Sequence, residues 1–302
     1  DGDFATRCFA QIEGFGSYGF PESHAASFAR LVYISSWLKC HHQAIFTCAL
    51  LNSQPMGFYA PAQLVRDARD HGVEVRPVSV NGSVWDCTIE PRADGSHALR
   101  LGFRQVKGMR EEDAVWIEAA RGNGYPDVES VWRRAGVRPD VLDRLAEADG
   151  FACLGLSRRD ALWQAKALKA PKPLPLFGMD GEGEREPAVD LPRMTLGQEV
   201  IEDYLALRLS LRTHPLELLR PNLPESLPTD RLVTATGRIQ LTGLVITRQR
   251  PGTASGVVFL TLEDETGTAN VVVWRKIYEA FRPAVVAGRL LRVTGRIERD
   301  GQ

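Results

Sequence analysis

The sequence predicts an α+β multidomain chain, mostly helical over its first two-thirds and closing on an incomplete β-barrel. Three observations carry that reading. Apolar residues recur every three to four positions up to about residue 220, then every second position from about residue 240. Prolines, glycines and acidic residues concentrate between residues 170 and 192, the composition of a linker. Charge falls in blocks, net −3 over 1–98, +3 over 99–172, −6 over 173–230 and +5 over 231–302. The formal net charge of −1 therefore averages two basic regions with two acidic ones and does not exclude nucleic acid.

The elements follow in order. A glycine-rich aromatic loop, residues 14–21, precedes a helix marked by Phe28, Leu31, Ile34 and Leu38, with Ser23 where an N-cap would fall. Further helices are expected over 43–51 and 62–71, the second ending at Gly72 before a short strand at 73–75. From residue 99 to 168 the pattern is helical throughout, punctuated by Gly108, the Gly122-Asn123-Gly124 turn, Gly136 and Gly150. A short helical unit covers 196–220, interrupted at His214-Pro215. Strands are then expected around 241–246, 257–262 and 270–274, with a hairpin turn at 265–268 between the last two. A short helix at 277–281 and a strand at 289–298 complete the order of an OB-fold barrel lacking its final strand.

Two helix-hairpin-helix candidates lie in the first basic block. One is built on Val106-Lys107-Gly108-Met109 with Ala114 and Ile117; hairpin N–H groups at a helix N-terminus can hold a DNA phosphate. Arg110 stands where many such hairpins carry a second glycine, and Glu111, Glu112 and Asp113 crowd the phosphate position. The other uses a helix at 139–148, a turn at Asp149-Gly150-Phe151, and a helix opening at Ser157. Arg158 and Arg159 in that helix's first turn suit a phosphate.

The second basic block reads as a single-strand groove. Arg248, Arg250, Arg275, Lys276, Arg289, Arg292 and Arg296 accompany Phe259 and Trp274, and such a groove tracks phosphates with charge while rings stack on bases. Whether those two aromatics are surface or core stays open at this point. In the linker, Pro173-Leu174-Pro175-Leu176-Phe177 is an apolar island that reads as a short motif filling a partner's pocket.

Other patterns carry less. Asp1-Gly2-Asp3 resembles paired metal carboxylates but sits in a polar end. His41 and His42, adjacent on a helix, are expected to point apart. Cys8, Cys40, Cys48, Cys87 and Cys153 form no Cys-x-x-Cys pair, which favours a reducing cytoplasm over a disulfide framework or zinc ribbon. No apolar run approaches the ~20 residues of a membrane helix, and no secretory signal opens the chain. The start at Asp1 and the stop at Gln302, inside a strand pair, suggest a piece of something longer.

Residues 12–29 (IEGFGSYGFPESHAASFA) strongly resemble the fingers segment of bacterial family C DNA polymerases, the family of the DNA polymerase III alpha subunit. The segments 51–59 (LNSQPMGFY), 76–78, 85–88, 243–253 (GLVITRQRPGT) and 262–270 (LEDETGTAN) resemble its error-prone branch. The resemblance implies a cytoplasmic, DNA-directed DNA polymerase acting in damage-induced mutagenesis and translesion synthesis, with this chain its C-terminal fragment. It implies fingers over 1–98, tandem hairpins over 99–170, and a linker with a short helical unit over 171–230. An OB domain is implied over 231–302.

Tyr18, Ser23 and His24 then fall in the surface for the nascent base pair and incoming nucleotide. Lys107, Gly108, Gly150, Arg158 and Arg159 fall in the duplex-gripping region; Arg248, Arg250, Arg275 and Lys276 fall in the template-strand barrel. Leu174, Leu176 and Phe177 map to a sliding-clamp motif whose usual leading Gln is Pro173 here. Implied partners are primer-template DNA, single-stranded template, deoxynucleotides, the clamp and other damage-response mutagenesis proteins. The catalytic aspartates and their Mg²⁺ are implied to lie upstream, with no catalytic or metal residue in this chain, so the fragment alone is expected to be inactive. The alternative is a non-catalytic DNA-binding adaptor built on the hairpins and barrel; the fingers-type segment 12–42 separates the two.

Overall fold

The computed structural model describes residues 2–16, 22–57, 59–168, 189, 191–252 and 256–299. The chain divides into one unit of residues 1–189 with 206–209 and another of 190–205 with 210–302.

Four helices open the first unit: α1 (Gly2–Gly16), α2 (Glu22–His41), α3 (Gln43–Asn52) and α4 (Pro61–Asp70). The backbone of Ser23 is already helical, so it lies inside the first turn of α2 rather than capping it. Phe28, Leu31 and Ile34 are exposed: apolar and polar residues are spread round α2 without a preferred side, and no described element covers those positions. Burial begins with α3, where Ala44, Thr47, Cys48 and Leu51 turn inward. Pro61 sits at the start of α4, where its missing N–H costs nothing. At the other end Gly72, at φ 82°, lets Val73 N–H reach Ala68 O at 2.9 Å, a left-handed helix stop.

A three-stranded sheet follows, ordered β1-β3-β2 from β1 (Val75–Arg76), β2 (Thr88–Pro91) and β3 (His97–Arg100). β1 runs parallel to β3, and β2 antiparallel to it. Of these the sequence pattern indicated only a strand near 73–75, and β3 corrects the all-helical reading from residue 99. Ala98 and Leu99 of the central strand are fully buried, and ion pairs cross the sheet. Glu90 accepts from Arg100 at 2.8 Å and from Arg76, while Glu74 accepts from Arg76 at 2.7 Å and from Arg92 at 2.9 Å.

Helices α5 (Glu111–Ala119), α6 (Val128–Ala135), α7 (Pro139–Glu147) and α8 (Arg158–Ala167) complete the unit. Their inner faces bury Ile117, Val131, Leu142, Leu145 and Ala161, and Phe151 is fully buried as well. Asp127 and Ser157 cap α6 and α8 in reciprocal capping boxes with Ser130 and Asp160, each worth about 1 kcal/mol.

The second unit begins with α9 (Leu196–Leu207), whose last two residues belong to the first unit, and α10 (Pro215–Leu219). It continues through β4 (Arg238–Gln249), β5 (Val258–Glu263), β6 (Thr268–Val273), α11 (Arg275–Ala280), α12 (Arg282–Ala287) and β7 (Leu290–Arg296). The sheet is antiparallel, ordered β6-β5-β4-β7, with a bulge between Val245 and Thr247 that bends β4. This is the curled half-barrel of an OB-fold. Its inner face packs Leu241, Val258, Leu260, Leu262 and Val273 against Tyr278 of α11.

The β5–β6 turn is fixed by Asp264, which is fully buried. Its carboxylate accepts from the N–H groups of Thr266 (2.8 Å), Gly267 (3.0 Å) and Thr229 (2.8 Å), the Thr229 hydroxyl (2.7 Å) and Arg220 (3.1 Å). Burial alone would raise its pKa; the hydrogen bonds from Thr229 and Thr266 outweigh burial and hold it below the ordinary value.

Candidate nucleic-acid interface

The first hairpin places its tip in solvent. Lys107 and Gly108 are exposed, and Gly108 takes φ 77°, which a side chain would strain. Met109 is buried beneath the tip. The Lys107 N–H donates to Ala206 O at 2.8 Å, so at this position the ammonium, rather than the amide, is available to a phosphate. Arg110 is drawn onto Asp113 at 3.1 Å, while Glu111 and Glu112 remain exposed at the start of α5.

The second hairpin differs from the sequence expectation. Asp149 and Gly150 form the C-terminal stop of α7: Gly150 N–H donates to Leu145 O at 2.8 Å and Asp149 N–H to Ala146 O at 3.0 Å, with Asp149 at φ 59°. Gly150 is buried, its own carbonyl accepts from Val80 N–H at 2.8 Å, and an added Cβ would meet Leu145 O at 3.0 Å. It is a packing glycine. The exposed turn lies five residues later, where a short 3₁₀ helix (Ala152–Leu154) leads through Gly155, at φ 75° in open space, into Ser157 and α8.

Arg158 shares the α8 face of Ala161 and Ala165 and is only 4% exposed, so helical period directs it inward. Arg159 is half-buried. Other arginines of this block hold the fold together. Arg121 donates to Val80 O (3.0 Å) and Ser83 O, and burial lowers its pKa. Arg134 donates to Gly124 O and Ala120 O, and its guanidinium lies 4.7 Å from the centroid of the Tyr125 ring.

On the barrel, strand alternation settles the two aromatics. Phe259 and Trp274 are 39% and 59% exposed, so neither is core. Phe259 pairs with Val272, itself exposed, and Trp274 follows two residues on, which puts all three on the outward side. Arg250 lies over the Tyr278 ring at 4.7 Å, and Gly256 lies beside the Arg275 and Arg250 side chains. Arg275 is exposed and pairs with Glu279 at 2.8 Å; Lys276 is exposed. Arg248 is exposed; it opposes Leu260 on the inward register, and its guanidinium donates to Val285 O (2.7 Å) and Gly288 O at the end of α12.

At the fingers-type end, His24 is exposed in the first turn of α2, its ring 4.4 Å from that of Phe28. Tyr18, Leu174, Leu176 and Phe177 lie outside the described residues, as does the side chain of Ser23. His41 and His42 do not point apart: both rings lie against Trp37, at 4.9 and 5.3 Å, because the chain leaves the helix at His42. Among the described residues no three His, Cys, Asp or Glu side chains come together as a metal site, and no helix is long and apolar enough to cross a membrane.

Two family models match the chain, a helix-hairpin-helix motif over residues 72–161 and an OB-fold nucleic acid binding domain over residues 233–302. Across 99% of its length the chain is 67% identical to an error-prone DNA polymerase of Ruegeria pomeroyi, of which it covers 27%. It is 53% identical to error-prone DNA polymerase 2 of Agrobacterium fabrum, over 99% of the chain and 29% of that relative. A Sinorhizobium medicae error-prone DNA polymerase is 50% identical over 98% of the chain and 29% of its own length. The chain thus spans somewhat over a quarter of the relatives it matches.

Proposed function

Because the chain is homologous, over nearly its whole length, to a part of error-prone DNA polymerases, we propose that it is the DNA-holding part of such an enzyme. The 67% identity running through 99% of the chain is the observation that carries this reading. The whole protein is a DNA-directed DNA polymerase of the cytoplasm that copies damaged template and raises mutation. It extends primers with deoxynucleotides, using Mg²⁺ that residues of this chain do not hold.

Within it, the hairpin unit grips duplex backbone through Lys107, Gly108, the turn at Gly155 and Arg159. The residue types suit this: an exposed ammonium and glycine turns that let a phosphate approach the backbone closely. The barrel takes single-stranded template. Phe259, Val272 and Trp274 give a stacking platform, bordered by Arg250, Arg275 and Lys276. His24, Tyr18 and Ser23 serve recognition of the incoming nucleotide, and Leu174, Leu176 and Phe177 engage the sliding clamp. Other mutagenesis proteins of the damage response recruit the enzyme.

A chimera tests the reading. Grafting these 302 residues in place of the equivalent quarter of the Ruegeria pomeroyi polymerase should preserve primer extension on damaged template. A chimera that folds and still binds nucleotide but cannot extend a primer would contradict it.

A further inference from the structure

The basic residues of the barrel unit are not equivalent. Arg220 is bound to Asp264 and Glu265, Arg248 to two carbonyls of the α12 end, and Arg275 to Glu279. Arg299 donates to the carbonyls of Leu232, Val233 and Ala235, and Arg250 stacks on Tyr278. Arg238, Arg292 and Arg296 differ from these. All three are exposed, and, like those of Lys276, Arg282 and Arg289, their side chains make no hydrogen bond or ion pair with any described residue.

Their placement is set by the sheet. Arg238 of β4 lies directly opposite Arg296 of β7, and Arg292 lies opposite Thr242 on the same pair of strands. Strand alternation turns Leu241 and Val293 into the core, so Arg238, Arg292, Thr294 and Arg296 share the outward side. Side chains directly opposite on antiparallel strands sit ~5 Å apart at Cβ, and like charges so placed are destabilising. Glu298, two residues past the end of β7, makes no ion pair with either arginine. β7 is an edge of this sheet, where charge also deters edge pairing. That role accepts either sign, and it does not call for an arginine on the inner strand β4.

We propose that Arg238, Arg292 and Arg296 form a second anion site on the barrel, taking consecutive phosphates of a single-stranded nucleic-acid backbone. Arg292 and Arg296 are four residues apart on one strand, a span of ~13 Å, so the row tracks a chain of phosphates and not one ion. It is separate from the aromatic platform. Arg238 and Gln249, the latter opposite Phe259, occupy the two ends of the twelve-residue β4. Between them Gln240 and Thr242 carry buried polar atoms, and the Gln240 carbonyl accepts from Leu227 N–H at 2.8 Å. A strand held at both ends would be gripped by backbone at one and by bases at the other. The inference rests on the barrel being the template-binding module.

Binding of a fluorescent oligothymidine to the 302-residue chain, titrated across salt, tests it. R238Q/R296Q should weaken binding on the order of tenfold at low salt. It should also flatten the slope of log K against log salt by about 1.4, since each single-strand phosphate contact contributes ~0.7. R238K/R296K should restore the slope, and relief of like-charge opposition should leave the Tm of the glutamine variant equal or higher. If that variant does not fold, R292Q alone should flatten the slope by about half as much. W274A, by contrast, should weaken binding and leave the slope unchanged. An unaltered slope in R238Q/R296Q with weakening in W274A overturns the second site and leaves the template reading standing. No effect from either overturns both. Displacement of the oligonucleotide by polyglutamate at lower concentration than by oligothymidine would make the row a protein-docking surface and overturn the proposal.

Discussion

Asp264 shows how one side chain can fix a turn of the barrel. Its carboxylate ties the β5–β6 turn to Thr229 and Arg220, so the strand carrying Phe259 is anchored at its far end. Asp264→Ala leaves those donors buried and unpaired, and should lower the stability of the barrel unit by roughly 3 kcal/mol in urea unfolding. Because the folded pKa is depressed, the stabilisation is present above the unfolded carboxylate value, ~3.9, and is lost as pH falls through the folded value. Asp264→Asn should accordingly show a shallower loss of stability on acidification than the parent chain, read by thermal melts. Residue-level legibility was uneven for a related reason. A buried arginine such as Arg158 and a packing glycine such as Gly150 have the same one-letter appearance as DNA contacts. Only the helical register around Ala161 and Ala165 tells the former apart. Gly150→Ala should therefore destabilise the first unit, while Lys107→Ala should leave its Tm unchanged and reduce the salt slope of duplex binding by about 1.

Among the elements, the long periodic ones were legible and the short paired ones were not. Helices α3 and α4 and strands β5 and β6 lie within a few residues of where apolar spacing puts them. Strands β2 and β3 were invisible because four residues give too little alternation, and their pairing depends on Arg76, Glu90 and Arg100 meeting across the sheet. The second hairpin turn was displaced to Gly150 because the α7 stop and the true turn at Gly155 both present a glycine. Phe259 and Trp274 needed the strand register before surface could be told from core. On the platform they form, Phe259→Ala and Trp274→Ala should each cost about 1–3 kcal/mol in single-strand affinity, measured by fluorescence titration; unchanged affinity in both would remove the platform. In the linker, Leu176→Ala with Phe177→Ala should abolish capture of the 302-residue chain by immobilised sliding clamp. Undiminished capture would place the clamp contact elsewhere.

At the scale of the molecule, a net charge of −1 conceals the division of labour. The hairpin block and the barrel each hold a basic surplus, but the structure commits many of those arginines to carbonyls and carboxylates within the fold. Exposed basic side chains with no partner among the described residues include Lys107 at one turn, Lys276 beside the aromatics, Arg282 and Arg289, and the row Arg238, Arg292 and Arg296. Total charge is thus a poor guide to partners here, and exposed, uncommitted charge a better one. The account's central claim is that this chain holds primer-template DNA, duplex in its hairpin unit and single strand in its barrel. Its most direct measurement is equilibrium binding across salt, with a hairpin-primed template carrying a single-stranded overhang compared with blunt duplex and with single strand alone. The account predicts tightest binding to the overhang substrate, with a salt slope steeper than for either part. Equal affinity and equal slope for all three, or no binding at low salt, would contradict it.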